Sequence, residues 1–214
     1  MIKSLRDFLT MSISLVVYVL MLPSRFFRKI IILDEETLKI NSPIIFISNH
    51  RSVLDPWIIS SSLPFTFFLK HLPVKILASS SRFGKHKSIY LLKNFKILDF
   101  IYFLYQCVEI KDASSPEEKL ENFQKEINKG YSVLFFPEGG ISNENKIGEI
   151  KQGVAILRKN NPGKPFVFLA VNYKKTWIPF YKKSYFVLGK ADFDQHDNYQ
   201  EFVSQTLINL SNKI

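Results

Sequence analysis

The sequence predicts an α/β fold: a central mixed sheet flanked by helices, with an N-terminal membrane-associated helical segment ahead of it. Three observations point there. Apolar runs of strand length alternate with amphipathic stretches of helical period. Cap and turn residues separate the two kinds of stretch. The first long apolar stretch, residues 8–24, contains no charged side chain.

In chain order, that uncharged stretch is seventeen residues long, preceded by Lys3, Arg6 and Asp7 and followed by Arg25, Arg28 and Lys29. It lies at the lower limit for crossing a bilayer, and Thr10, Ser12 and Ser14 weaken a spanning reading, so a spanning and an interfacial helix both stay open. Met21-Leu22-Pro23-Ser24 offers no small-x-small cleavage site, which argues against a cleaved leader. Strands are expected near residues 29–33 and 43–48, then a short helix from Pro56. Ser115-Pro116-Glu117-Glu118 is a capping box with proline in the first turn; Leu120, Phe123 and Ile127 share one face before Gly130 ends that helix. A strand at 132–136, a helix at 153–159, strands at 165–171 and 184–188, and a last helix carrying Val203, Leu207, Leu210 and Ile214 complete the pattern. No linker or repeat divides the chain, so residues 1–28 are expected to be a membrane-associating segment and residues 29–214 one domain.

The first informative motif follows the second strand. Ile44 to Ile47 is apolar, and Ser48-Asn49-His50-Arg51-Ser52-Val53-Leu54-Asp55-Pro56 then carries the chain into a helix. Asp55 before Pro56 reads as an N-cap with a first-turn proline, and the turn brings its carboxylate back toward the His50 imidazole. Such a pair makes a general base: His50 takes a proton from a hydroxyl nucleophile while Asp55 fixes the ring tautomer and stabilises the imidazolium. Spacing alone leaves Asp55 equally readable as a cap and nothing more. The second motif, Phe135-Phe136-Pro137-Glu138-Gly139-Gly140-Ile141-Ser142, ends a strand with a carboxylate and paired glycines. Its glycines allow positive φ, a nest of N–H groups for an anion and close substrate approach; an ordinary turn is the plainer alternative. Both motifs fall at strand ends, where α/β sheets place ligand-binding loops.

Composition bounds the rest. The formal charge is +10, from 29 basic and 19 acidic side chains, concentrated at residues 70–96 and 174–183. That balance attracts anions such as lipid headgroups, CoA phosphates or an acidic carrier protein. No nucleic-acid-binding motif accompanies it, so nucleic acid is not an expected partner. The single cysteine, Cys107, excludes an intramolecular disulfide framework, suits a buried thiol and fits a reducing compartment. His71, His86 and His196 read as surface or turn residues. No Gly-x-Ser-x-Gly, His-Glu-x-x-His or paired-cysteine spacing supports a serine hydrolase or a zinc site, and Gly84-Lys85 lacks the other residues of a P-loop.

Together, the stretches 49–56 and 135–142 resemble the first and third sequence blocks of the glycerophospholipid acyltransferase family, in its lysophosphatidate (1-acyl-glycerol-3-phosphate) acyltransferase branch; the resemblance extends over residues 44–173. It implies transfer of a fatty acyl chain from acyl-CoA or acyl carrier protein, as donor substrate, to a lyso-lipid hydroxyl in phospholipid synthesis or remodelling. No cofactor, metal or covalent acyl-enzyme is implied. His50 and Asp55 match the catalytic pair, and Glu138, Gly139 and Ser142 match the acceptor-binding block, whose usual form is Phe-Pro-Glu-Gly-Thr-Arg-Ser. Gly140 replaces the threonine and Ile141 the arginine, so this loop lacks the planar cation that reads a phosphate best. Lys111 lies where the second block places an arginine and supplies point charge or is a solvated loop lysine. Lys151 and Gly153 resemble the basic residue and glycine after the third block, or are helix-start punctuation. The stretch 166–173 lacks the proline of the fourth block, and no residue is carried over from it.

The expected mechanism holds the acceptor hydroxyl near Glu138 and the glycine loop and uses His50 as base, with backbone N–H groups of the His50 turn as candidates for the oxyanion. Phe65, Phe67 and Phe68 are candidates for the apolar surface that takes the acyl chain. The expected location is the membrane, at its cytoplasmic face. A lipid-binding protein on the same scaffold without turnover is the rival expectation. Acyl chain length, acceptor and oligomeric state are left open.

Overall fold

A computed structural model describes residues 5–23, 28–52, 54–78, 107–110, 115–142, 147–175, 182–190 and 198–213, and elements are numbered among these. Seven strands form one sheet in the order β1-β7-β6-β2-β5-β3-β4. They are β1 (Arg28–Ile32), β2 (Ile45–Ser48), β3 (Lys75–Ala78), β4 (Cys107–Glu109), β5 (Val133–Phe135), β6 (Phe166–Lys175) and β7 (Lys182–Lys190). Every pairing is parallel except β6 with β7, so the sheet is mixed. The centre is parallel because β2, β5 and β6 are joined through helices rather than hairpins.

The alternation of side chains along the central strands feeds two cores. Ile44, Phe46, Leu134, Val167, Leu169 and Val171 face one side, covered by α1 (Leu5–Met21), α2 (Asp55–Ser62) and α3 (Phe65–His71). Ile45, Ile47, Val133, Phe135, Phe166 and Phe168 face the other, covered by α4 (Pro116–Asn128), α5 (Gly153–Asn160) and α6 (Tyr199–Ser211). The molecule is thus a helix–sheet–helix sandwich whose central strands are apolar on both faces, as a buried parallel sheet requires.

Most expected elements are present. The Ser115 hydroxyl caps α4 by accepting from Glu118 N (3.2 Å), Leu120, Phe123 and Ile127 are buried, and Gly130 follows with φ 84°. In α6, Val203, Leu207 and Leu210 are buried; Ile214 lies outside the described residues. Three expectations are corrected. His71 is buried rather than on a surface, its ring between Phe46 and Phe67 (centroids at 6.0 and 4.6 Å) and its Nδ1 3.2 Å from the Ser132 hydroxyl. Phe67 and Phe68 are core residues, because α3 turns them onto the sheet; Phe65 is exposed. Asp55 is not the N-cap of α2. Leu54 is, without a side-chain cap bond, and Asp55 is the first helical residue. His86 and His196 lie outside the described residues.

α1 packs Met11, Tyr18 and Met21 against the core and turns a second apolar face away from the protein. Leu5, Phe8, Leu9, Leu15, Val16, Val19 and Leu20 are exposed, whereas Asp7, Thr10 and Tyr18 are buried. Asp7 accepts from the Tyr131 hydroxyl (2.7 Å) and pairs with Lys75 (3.5 Å), and Tyr18 donates to Leu63 O (3.1 Å). Among the described residues no helix is long and apolar enough to cross a membrane.

Candidate active site

Strands β2 and β5 run side by side and parallel, Ile45 to Ile47 against Val133 to Phe135, so both chains leave the sheet at the same edge. His50 emerges two residues beyond β2 and Glu138 three beyond β5. Asn49 lengthens the β2–β6 ladder by one step: its amide donates to Val171 O and accepts from Val171 N, both at 2.8 Å. Because Asn49 is fully buried, that double bond fixes where the turn carrying His50 begins.

The His50 Nδ1 lies 2.9 Å from Asp55 Oδ2. A carboxylate without a proton can only accept, which makes the imidazole Nδ1 the donor of this bond. The side chain of His50 is 17% accessible and that of Asp55 0%, so the ring is the outer member of the pair and the carboxylate its buried support. Asp55 Oδ2 also accepts from Arg51 N (2.6 Å) and Ser52 N (2.8 Å). The carboxylate therefore caps the turn before it rather than the helix after it, which is why the N-cap expectation fails. Its other oxygen accepts a short hydrogen bond from the Tyr173 hydroxyl. The imidazole stacks on Phe136, the residue after β5, with centroids 4.1 Å apart and planes at 19°.

Glu138 is 8% exposed, and each of its oxygens accepts from the backbone: Oε1 from His50 N and Oε2 from Gly148 N, both at 2.9 Å. A Cβ on Gly148 would stand 2.7 Å from Oε2, so the close approach requires glycine there. Ser142 N donates to His50 O (2.9 Å), closing the glycine loop onto the His50 turn, and Arg51 Nη1 lies 3.4 Å from the Ser142 hydroxyl. Gly139 has φ 68°, and Gly140 is exposed with open space where a Cβ would point. The expectation that backbone N–H groups of the His50 turn stand ready for an oxyanion is corrected: those of His50, Arg51 and Ser52 are held by Glu138 and Asp55.

A family model of acyltransferases matches residues 29–174, more than half of the chain and a span that contains this whole cluster. The chain belongs to the Acyltransferase family. No curated protein sequence matches it. The fold is similar to that of the 1-acyl-sn-glycerophosphate (LPA) acyltransferase PlsC from Thermotoga maritima, with TM-score 0.62 and 13% identity over 97% of this chain and 80% of that one. As an acyltransferase, the chain presents its two informative motifs in one place, since His50, Asp55, Glu138, Gly139, Gly140 and Ser142 meet at the ends of β2 and β5. Lys151 joins through its backbone, its N–H donating to Pro137 O (2.9 Å), while its exposed ammonium pairs with Glu149. Lys111 lies outside the described residues.

Asn49, Phe136, Gly148 and Tyr173 were not legible as site residues. Tyr173 sits in the strand from which the resemblance carried over nothing, and only the pairing of β6 with β2 places it beside Asp55.

Proposed function

We propose that this acyltransferase is a lysophosphatidate acyltransferase-like enzyme of membrane lipid synthesis or remodelling, with His50 as general base and Asp55 as its orienting carboxylate. The observation that carries the reading is the bond from Nδ1 to a fully buried, ionisable carboxylate, because it leaves Nε2 as the proton acceptor at the more accessible end of the pair. An acceptor hydroxyl against the glycine loop loses its proton to Nε2 as its oxygen attacks the acyl thioester carbonyl. The ester C–O bond forms, the C–S bond breaks, and the departing thiolate takes the proton from the imidazolium. A thiol is a good enough leaving group to need little further acid assistance. Glu138 serves this site through the backbone by holding the base turn against the glycine loop. No resident cofactor enters the proposal; acyl-CoA or acyl carrier protein is the donor.

The lipid acceptor and an acyl-chain substrate agree with the orientation of α1. With seven large apolar residues outward and Asp7 and Thr10 buried, α1 suits an interfacial helix lying in the plane of a membrane, and the +10 charge favours an anionic surface. We assign residues 1–28 to membrane association, residues 29–214 to the catalytic domain, and the cytoplasmic face as its place of work. Ile141 leaves acceptors with and without a phosphate in play.

The test is an assay of detergent-solubilised protein with labelled acyl-CoA or acyl carrier protein and a panel of phosphate-bearing and neutral lyso-lipids. Product with at least one acceptor is expected, and His50→Ala should lower the rate about 10²- to 10⁴-fold. Saturable lipid binding without product in the parent, or parental rate in folded His50→Ala, overturns the reading.

A further inference from the structure

Tyr173 approaches Asp55 for a reason set by the strand pairing. Residues 167, 169, 171 and 173 of β6 alternate onto one face, and β2, which pairs with β6 as far as Ser48 with Leu169, ends there. Past that point the space beside β6 is occupied by the turn from His50 to Asp55. Val171 is tied to Asn49, and Tyr173, two residues further along the same face, reaches the carboxylate with its hydroxyl.

The distribution of donors around Asp55 is uneven. Oδ2 accepts from His50 Nδ1, Arg51 N and Ser52 N, while Oδ1 accepts from the Tyr173 hydroxyl. A fully buried carboxylate whose second oxygen lost its donor would gain by rotating or shifting toward other partners, and any such movement misaligns Oδ2 with the imidazole N–H. A phenol is well suited to prevent this, since it is a strong donor carried on a rigid ring that here packs against the α1–α3 side of the sheet.

We propose that Tyr173 is a positioning residue for acyl transfer: it clamps Asp55 Oδ1 so that Oδ2 holds the His50 ring in the tautomer and orientation the base requires. The proposal rests on the reading of His50 and Asp55 as the catalytic pair. Tyr173 acts through Asp55, without touching either substrate.

Tyr173→Phe removes the hydroxyl and keeps the ring. The expected result is a fall of roughly 10-fold or more in kcat, with KM for donor and acceptor within about 2-fold of the parent. In an Asp55→Asn background the same substitution should cost little or nothing more, because its route of action is already cut. Independently of turnover, the His50 Nδ1 proton resonance, deshielded by its bond to Asp55, should move upfield or broaden in Tyr173→Phe. Parental kcat and an unchanged resonance overturn the proposal. So does a loss carried in KM, or one of equal size in both backgrounds, since those are the marks of a substrate contact or of general destabilisation. His50→Ala in the same assay separates the two levels: if it keeps the parental rate the base reading itself fails, and if it is inactive any failure belongs to Tyr173 alone.

Discussion

Glu138 shows how much a single side chain can do through backbone partners. Its two oxygens join the His50 turn to the segment around Gly148, and each bond satisfies a backbone N–H. Gly148→Ala places a methyl 2.7 Å from Oε2, so the carboxylate has to shift against the partners that hold it. The expected outcome is a fall of about 1–3 kcal/mol in stability together with a lower kcat, checked by thermal unfolding and steady-state assay; parental behaviour in both would show that the strut is dispensable. His71 is a second residue whose environment sets its chemistry. Burial between two phenylalanines, with Lys70 nearby, outweighs the opposing influence of the Ile40 backbone and lowers the imidazole from 6.5 to about 4. The unfolded chain therefore binds this proton more readily than the folded one, so the stabilisation is complete above about pH 6.5 and is lost as the pH falls toward about 4. Melting temperatures across that window should drop more steeply for the parent than for His71→Phe, and parallel curves would remove His71 as the cause. Neither residue announced its role: Glu138 stood in a recognisable loop but gave no sign that its partners are backbone amides, and His71 had no hydrophobic pattern around it strong enough to place it inside.

Among the elements, α1 carries the clearest message because it packs Met11, Tyr18 and Met21 on the core and still leaves a row of large apolar side chains outward. Seven large apolar side chains face outward, while Asp7 is buried against Lys75 and Tyr131. Water gives no reason for that arrangement; an apolar medium on the outer side does. Each of these side chains contributes up to about 1.5–3 kcal/mol when it leaves water. Replacing Leu9, Val16 and Leu20 together by glutamate should lower co-sedimentation with anionic vesicles by at least about 10-fold, since three favourable transfers are lost and three repulsive charges gained. The melting temperature should hardly change, because none of the three packs on the domain. Undiminished sedimentation would dissociate α1 from membrane binding. The uncharged run 8–24 was visible in the sequence, but not which side of it the protein would use; the buried face was decided by polar partners more than sixty residues away.

For the whole molecule, the proposed membrane role would draw on two separate sources, the net charge of +10 and the outward apolar side chains of α1, with different responses to salt. Attraction between exposed lysines and anionic headgroups is screened as the Debye length shrinks from about 10 Å at 0.1 M salt to about 3 Å at 1 M, whereas apolar burial is not. Binding to anionic vesicles should therefore fall steeply over that range and level off near the value for neutral vesicles. A curve without salt dependence would remove the charge from the account, and a curve that falls to nothing would remove the apolar face.

The α/β class, the order of most elements and both motifs of the site were contained in local sequence, because strand and helix periods, caps and glycine turns are written within a few residues of where they act. The pairing of His50 with Asp55 was legible for the same reason, being closed by one short turn. What joins that turn to Glu138 and Tyr173, and Asn49 to Val171, depends on β2 lying between β5 and β6, and contacts across 88 to 122 residues leave no local signature. Hydrogen bonds to backbone amides hide best of all, since their partners carry no side-chain identity for a sequence to display.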